Sequence, residues 1–255
     1  MSALFSLQNV TVQFGGLRAL NDFSMDVEVG SIHALIGPNG AGKSTVFNCV
    51  SRFYTPNAGD ILFDGRSILG TPAHGIAGLG IARTFQNIEL LRELSVLENI
   101  LVGASARIDR YMPFMPSRRR SNIERQAIAE AEALLDRMGL ANVRHARAGE
   151  LDFGHQKKLD IARALAAKPR LLLLDEPAAG LRNREIADLD ALLVDIARTQ
   201  GITVILVEHV MQLVMAVAER ITVLSFGEKI AEGTPARIRT DERVIEAYLG
   251  GAAHA

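Results

Sequence analysis

Residues 37–45 read GPNGAGKST and directly follow the apolar run 31–36, SIHALI. The spacing is Gly, four residues, Gly-Lys-Ser, the Walker A pattern of a phosphate-binding loop. Gly37, Gly40 and Gly42 permit a loop that wraps closely enough for backbone N–H groups to bind phosphate oxygens. A helix starting at the end of the loop adds its positive N-terminal end. Lys43 is placed to reach the β- and γ-phosphates, Ser44 to ligate Mg²⁺, and Thr45 to add a phosphate contact. A glycine-rich turn without nucleotide is the competing explanation, and the strand-loop-helix context disfavours it.

A second cluster of chemistry lies at 171–176, LLLLDE. Four leucines place Asp175 at the carboxyl end of a strand, where it is expected to hold Mg²⁺ through water. Glu176 follows and can polarise the water that attacks the γ-phosphate. Alone, an apolar strand ending in an acid is explained by a simple strand-terminal cap. Paired with residues 37–45, it reads as the second half of a nucleotide site.

The elements that must position these groups are legible from pattern. Residues 31–36, 171–174, 202–207 and 221–224 are nearly continuous apolar runs, as in parallel strands buried on both faces. Chemistry in open α/β sheets sits at the carboxyl ends of such strands. Leu7, Val10, Val12 and Phe14 alternate with polar residues, and residues 60–64, DILFD, lie between turn signals. These pieces predict a small antiparallel sheet at one edge. Residues 88–168 read as helical, with Ala127, Ala131, Leu134, Leu135 and Met138 at helical spacing. Residues 111–120, YMPFMPSRRR, read as a surface loop, and the arginines at 118–120 as a solvated run.

Composition bounds the partners. The chain has 255 residues, 48% hydrophobic and 22% charged, so one large domain with a substantial core is expected. A formal net charge of -1 disfavours a polyanion-coating protein, and no nucleic-acid partner is expected. A single cysteine, Cys49, excludes an internal disulfide, fits a reducing compartment and reads as a small buried residue. No run reaches the roughly 18 apolar residues of a membrane span, and the first ten residues do not read as a signal peptide.

With these motifs in order, the chain resembles the ATP-binding subunits of ABC transporters over essentially its whole length. Gln86 in RTFQN falls at the Q-loop, residues 151–156, LDFGHQ, at the signature, 175–181, DEPAAGL, at Walker B and the D-loop, and His209 in LVEHVM at the switch histidine. It is most similar to the first ATPase subunit of branched-chain amino acid uptake systems. That resemblance is carried by FGGLRALND, ARTFQNIELLRELSVLENI, DEPAAGL, VEHVMQLVM, EGTPARIR and AYLG.

The resemblance implies a RecA-like P-loop NTPase fold, α/β, with a mainly parallel sheet, an antiparallel β edge and an inserted helical subdomain. It implies a single nucleotide-binding domain over 1–255. Residues 1–87 and 169–235 would form the catalytic core, 88–168 the helical subdomain with the signature, and 236–255 a C-terminal helix and tail. The expected cofactors are ATP and Mg²⁺. Phe14 is implied as the aromatic stacking on adenine. Asn39 and Ala41 complete the ATP-binding loop with Gly37, Gly40, Gly42, Lys43, Ser44 and Thr45. Glu176, His209 and Gln86 are implied as catalytic, and Ser44, Gln86 and Asp175 as metal-holding. Leu151, Asp152, Phe153, Gly154, His155 and Gln156 would face the ATP of an opposing subunit.

The implied partners are a second ABC ATPase subunit, a paralogue or a second copy, two membrane-spanning permease subunits, and indirectly a periplasmic or extracellular solute-binding protein. The implied place is peripheral, on the cytoplasmic face of the cell membrane. The implied function is ATP hydrolysis energising uptake of branched-chain amino acids or a related small organic solute. A non-transport soluble ABC ATPase, or a nucleotide clamp with little hydrolysis of its own, is the alternative.

Two positions depart from the family pattern. Asp152 stands where the family has Ser, and reads as an N-cap whose charge would repel an opposing phosphate. Arg182 stands where the D-loop usually ends in Asp. His155 replaces a common glutamine or glutamate and reads only as a surface residue.

Overall fold

A computed structural model describes residues 3–108 and 117–250. The strands are β1 (Ala3–Phe14), β2 (Leu17–Glu28), β3 (Ile32–Ile36), β4 (Ala58–Phe63), β5 (Arg66–Ser67), β6 (Ile81–Arg83), β7 (Leu171–Asp175), β8 (Thr203–Val207), β9 (Arg220–Ser225) and β10 (Glu228–Gly233). The helices are α1 (Lys43–Val50), α2 (Val96–Ile108), α3 (Ser117–Met138), α4 (Phe153–Ala166), α5 (Asn183–Arg198), α6 (Met211–Val217), α7 (Pro235–Ile238) and α8 (Glu242–Gly250).

The strands form two sheets. One is four-stranded and antiparallel, β2-β1-β4-β5; the other is six-stranded, β10-β9-β3-β8-β7-β6. Within the larger sheet β9, β3, β8, β7 and β6 pair in parallel, and only β10 runs antiparallel on its edge. The apolar runs of β3, β7 and β8 are buried at every position, as strands covered on both faces must be. Alternation along β7 divides the two cores. Leu172 and Leu174 pack with α2, α4 and α5, whereas Leu171 and Leu173 pack with α1 and the antiparallel sheet. Truncating one of these leucines to alanine costs about 2–5 kcal/mol.

The antiparallel sheet expected at the edge is a sheet of its own, and α1 shares a core with it. Helices α2, α3 and α4 all lie in one excursion between β6 and β7, which are hydrogen-bonded neighbours. The loop expected over 111–120 needs correction at its end: residues 117–120 form the first turn of α3, while 111–116 lie outside the described residues. The helix starts directly after Pro116, and arginine is a good helix former, so a charge run there joins the helix. Among the described residues no helix is long and apolar enough to cross a membrane.

Candidate functional site

The site stands at the carboxyl ends of β3, β7 and β8, which lie side by side in the sheet. From β3 the chain enters the loop 37–42 and then α1. Two glycines have steric reasons. A Cβ on Gly37 would lie 2.0 Å from the carbonyl oxygen of Leu224, and one on Gly42 2.6 Å from that of Ala19. The loop is thus pressed against β9 on one side and β2 on the other. Lys43, at the first position of α1, is buried, and its Nζ donates to the carbonyls of Gly37 at 2.7 Å and Pro38 at 2.9 Å. Burial lowers its pKa, and Glu176 and Asp175 pull it back up. Its ammonium therefore lies over the loop, where it can meet a polyanion.

Asp175 ends β7, and its Oδ2 is 2.9 Å from a terminal guanidinium nitrogen of Arg83 on β6. That guanidinium also donates to Asn48 at 2.8 Å and Ser51 at 3.2 Å, and lies over the rings of Phe47 and Phe85. Burial raises the Asp175 pKa, and Arg83 opposes the rise without cancelling it.

Glu176 has a backbone φ of 49°, in the left-handed region that a non-glycine residue seldom occupies. Its N–H donates to the Val207 carbonyl at 2.8 Å. Its Oε2 accepts from Nε2 of Gln86 at 2.9 Å, and its Oε1 is 3.0 Å from Nε2 of His209. The carboxylate is thereby held from both sides. The His209 loop is itself fixed by Glu208, buried to 1%, whose carboxylate accepts the backbone N–H groups of Ala178, His209 and Val210 at 2.6–2.9 Å. Three donors satisfy a charge that would otherwise be costly to bury.

Phe14, residues 39–45, Gln86, Glu176 and His209 line an open cleft of about 580 Å³; Gly37 and Asp175 lie behind its lining. Phe14 is 45% exposed and meets Tyr54 edge to face, with centroids 5.0 Å apart, leaving ring surface open to the cleft. The cleft also includes Phe226, 92% exposed.

Residues 151–156 do not line this cleft. They build the start of α4 instead. Leu151 is buried, and its carbonyl accepts from the Gln156 side chain at 2.9 Å. Asp152 is the N-cap and accepts the His155 N–H at 2.9 Å, as expected from its place before the helix. Its other oxygen lies 2.6 Å from Nδ1 of His155, whose side chain stays 41% exposed, so His155 is a surface residue that also contacts the cap. Phe153 is exposed, and Gly154 leaves just enough room for the Glu185 carboxylate, which a Cβ there would approach to 2.6 Å. Arg182 precedes α5, and its backbone N–H donates to Glu185 at 2.7 Å.

Sequence reasoning missed Arg83, Glu208 and Lys157. Arg83 and Glu208 each sit at or beside the end of a sheet strand, and the only signal was a charge where a strand should turn apolar. Lys157 is buried on α4, with its Nζ 3.2 Å from the carbonyl oxygen of Glu176. Cys49 is buried, and burial pushes its thiol pKa up to about 11, in keeping with an inert core residue.

The family model described as ABC transporter matches residues 20–179, and that of the branched-chain amino acid ATP-binding cassette transporter matches residues 228–254. The chain is 42% identical over 253 residues to the high-affinity branched-chain amino acid transport ATP-binding protein BraF of Pseudomonas aeruginosa, covering 98% of each. It is 41% identical to LivG of Escherichia coli, of the same description and with the same coverage. The ADP conformation of an ATP-binding cassette of an ABC transporter superposes with a TM-score of 0.85 at 28% identity, over 98% of this chain and 100% of that one.

Proposed function

This chain belongs to the ABC transporter family, and from that premise we propose that it is the ATP-hydrolysing subunit of an importer for branched-chain amino acids or a related small organic solute. The observation that carries the catalytic part is the Glu176 carboxylate, held between Gln86 and His209 in the cleft of the phosphate-binding loop. The match of residues 228–254 to a branched-chain amino acid family supports the solute class.

In this reading Phe14 stacks on the adenine, and the N–H groups of residues 39–45 with Lys43 hold the β- and γ-phosphates. Glu176 accepts a proton from water as the water oxygen bonds to the γ-phosphorus. The bond from that phosphorus to the β-phosphate oxygen breaks, leaving ADP and inorganic phosphate. His209 holds the carboxylate in place and presents its imidazole to the γ-phosphate. Ser44, Asp175 and Gln86 would hold Mg²⁺. Gln86 Nε2 is engaged with Glu176, which leaves its Oε1 for the ion. A hydroxyl, a carboxylate and an amide oxygen are hard donors, few enough for an ion that keeps waters and substrate phosphates. Bound Mg²⁺ supplies charge neutralisation at the phosphate oxygens.

The signature lies outside the chain's own cleft, which supports a composite site closed by a second ABC ATPase subunit, a paralogue or a second copy. Exposed Phe85 and Leu91, flanking Gln86 in sequence, offer apolar surface to one of two permease subunits at the cytoplasmic face of the membrane. A solute-binding protein outside would deliver the substrate. The test is solute-stimulated ATP turnover by the assembled complex in proteoliposomes. Branched-chain amino acids are expected to stimulate it, and Glu176→Gln to bind ATP while hardly hydrolysing it. Near-wild-type turnover in Glu176→Gln rejects Glu176 as the base, and stimulation only by urea, short amides or aromatic acids reassigns the solute.

A further inference from the structure

We propose that Lys157 is a positioning residue for the Glu176 carboxylate, tying the helix that begins at the signature to the backbone of the glutamate. The inference rests on reading Glu176 as the base. Lys157 lies in the second turn of α4, 6% exposed. Its Nζ donates to the Glu176 carbonyl at 3.2 Å and lies 5.7 Å from the centroid of the Phe153 ring. That ring packs on Gly180, where a Cβ would come within 2.8 Å of its edge. The lysine is therefore seated between its own helix and the segment that follows β7.

The conformation of Glu176 explains why a donor is useful there. A non-glycine residue in the left-handed region costs about 1–3 kcal/mol and persists only where the surroundings hold it. The Val207 carbonyl fixes the N–H side of Glu176; on its carbonyl side the Ala179 N–H and Lys157 Nζ both donate, each at 3.2 Å, and only Lys157 comes from α4. Between these anchors the side chain is directed to Gln86 and His209. Without Lys157 the carbonyl keeps the Ala179 N–H, three residues on in the same segment, but loses its tie to α4, and the carboxylate depends more on two side chains that themselves sit in loops. Because α4 also carries Asp152 at its start, a shift of this helix on engaging an opposing nucleotide reaches this chain's own base through one side chain.

The test uses the assembled complex under single-turnover conditions with Mg-ATP. Lys157→Met fills the same volume without a donor. It is expected to slow cleavage about 10- to 100-fold, the range for a misplaced reacting group. ATP affinity should stay within about threefold, as for an interaction lost only in the transition state. Lys157→Arg keeps a cationic donor and should recover most of the rate. In a Glu176→Gln background Lys157→Met should add nothing, because the group it positions is gone. Should the methionine variant not fold, Lys157→Gln, too short to reach the carbonyl, is expected to show the same split. Wild-type cleavage in the Met or Gln variant, a parallel loss of ATP affinity, or the same slowing without Glu176 overturns the assignment. A wild-type chain that neither binds nor cleaves ATP overturns the function itself, a different result from normal cleavage in Lys157→Met.

Discussion

Asp152 holds His155 at two points: Oδ1 accepts the His155 backbone N–H at 2.9 Å, and Oδ2 lies 2.6 Å from the ring Nδ1. The backbone hydrogen bond is the largest influence on Asp152 and lowers its pKa; the imidazole contact adds to it. A carboxylate at the signature therefore has two hydrogen-bond contacts within its own helix turn.

Three substitutions separate cap from charge. Asp152→Ala is expected to lose about 1 kcal/mol of stability at neutral pH, the usual worth of an N-cap. The folded pKa is lowered, so this contribution is present above the unfolded value and is lost as pH falls through the folded one. Asp152→Ser keeps a capping oxygen, should melt near wild type, and should favour Mg-ATP-driven dimer closure on size-exclusion chromatography. His155→Ala leaves the carboxylate alone and should weaken closure. If Asp152→Ser weakens closure instead, the carboxylate makes a favourable contact across the dimer.

Arg83 and Asp175 form a pair with side chains 10% and 7% exposed. Arg83→Met leaves a buried carboxylate without its cation, which costs about 3–5 kcal/mol when one partner of a buried pair is removed. Burial already raises the Asp175 pKa, and loss of Arg83 raises it further. The acid limb of Mg-ATP turnover should therefore move to higher pH. Denaturant melts and a pH–rate profile check both, and an unmoved acid limb would separate Asp175 from metal binding.

His33 on β3 is buried, with its Nε2 2.8 Å from the Thr222 hydroxyl, and burial lowers its pKa from 6.5 to about 4. The unfolded chain takes up this proton first as pH falls. Stability is intact above the unfolded value, declines below it, and reaches its full loss below the folded value. The loss is on the order of 3 kcal/mol. His33→Gln should flatten the dependence of the urea midpoint between pH 7 and pH 4; an unchanged slope would assign the acid sensitivity to other groups.

Legibility followed how local each interaction is. The loop 37–45 was readable because its glycines, lysine and serine do their work within one turn of chain. β7 was readable because a short unbroken run of four leucines ending in an acid suits a strand covered on both faces. Arg83 was not, since its partner lies 92 residues away and nothing near it in sequence announces an acid. Lys157 was hidden by the helical pattern, in which a lysine between Gln156 and Lys158 reads as solvated, while packing against Glu176 buries it. The His155 ring contact was not foreseen because it depends on the carboxylate three residues earlier.

The excursion that holds α2, α3 and α4 leaves the sheet at β6 and returns at β7, with Ile81 paired to Leu171, Ala82 to Leu172 and Arg83 to Leu173. Its two roots are one strand spacing apart, about 4.8 Å. Mechanically the excursion is a loop closed on a single strand spacing, and because α2 and α4 share a core with Leu172 and Leu174, a push on those helices bears on the strand that ends at Asp175.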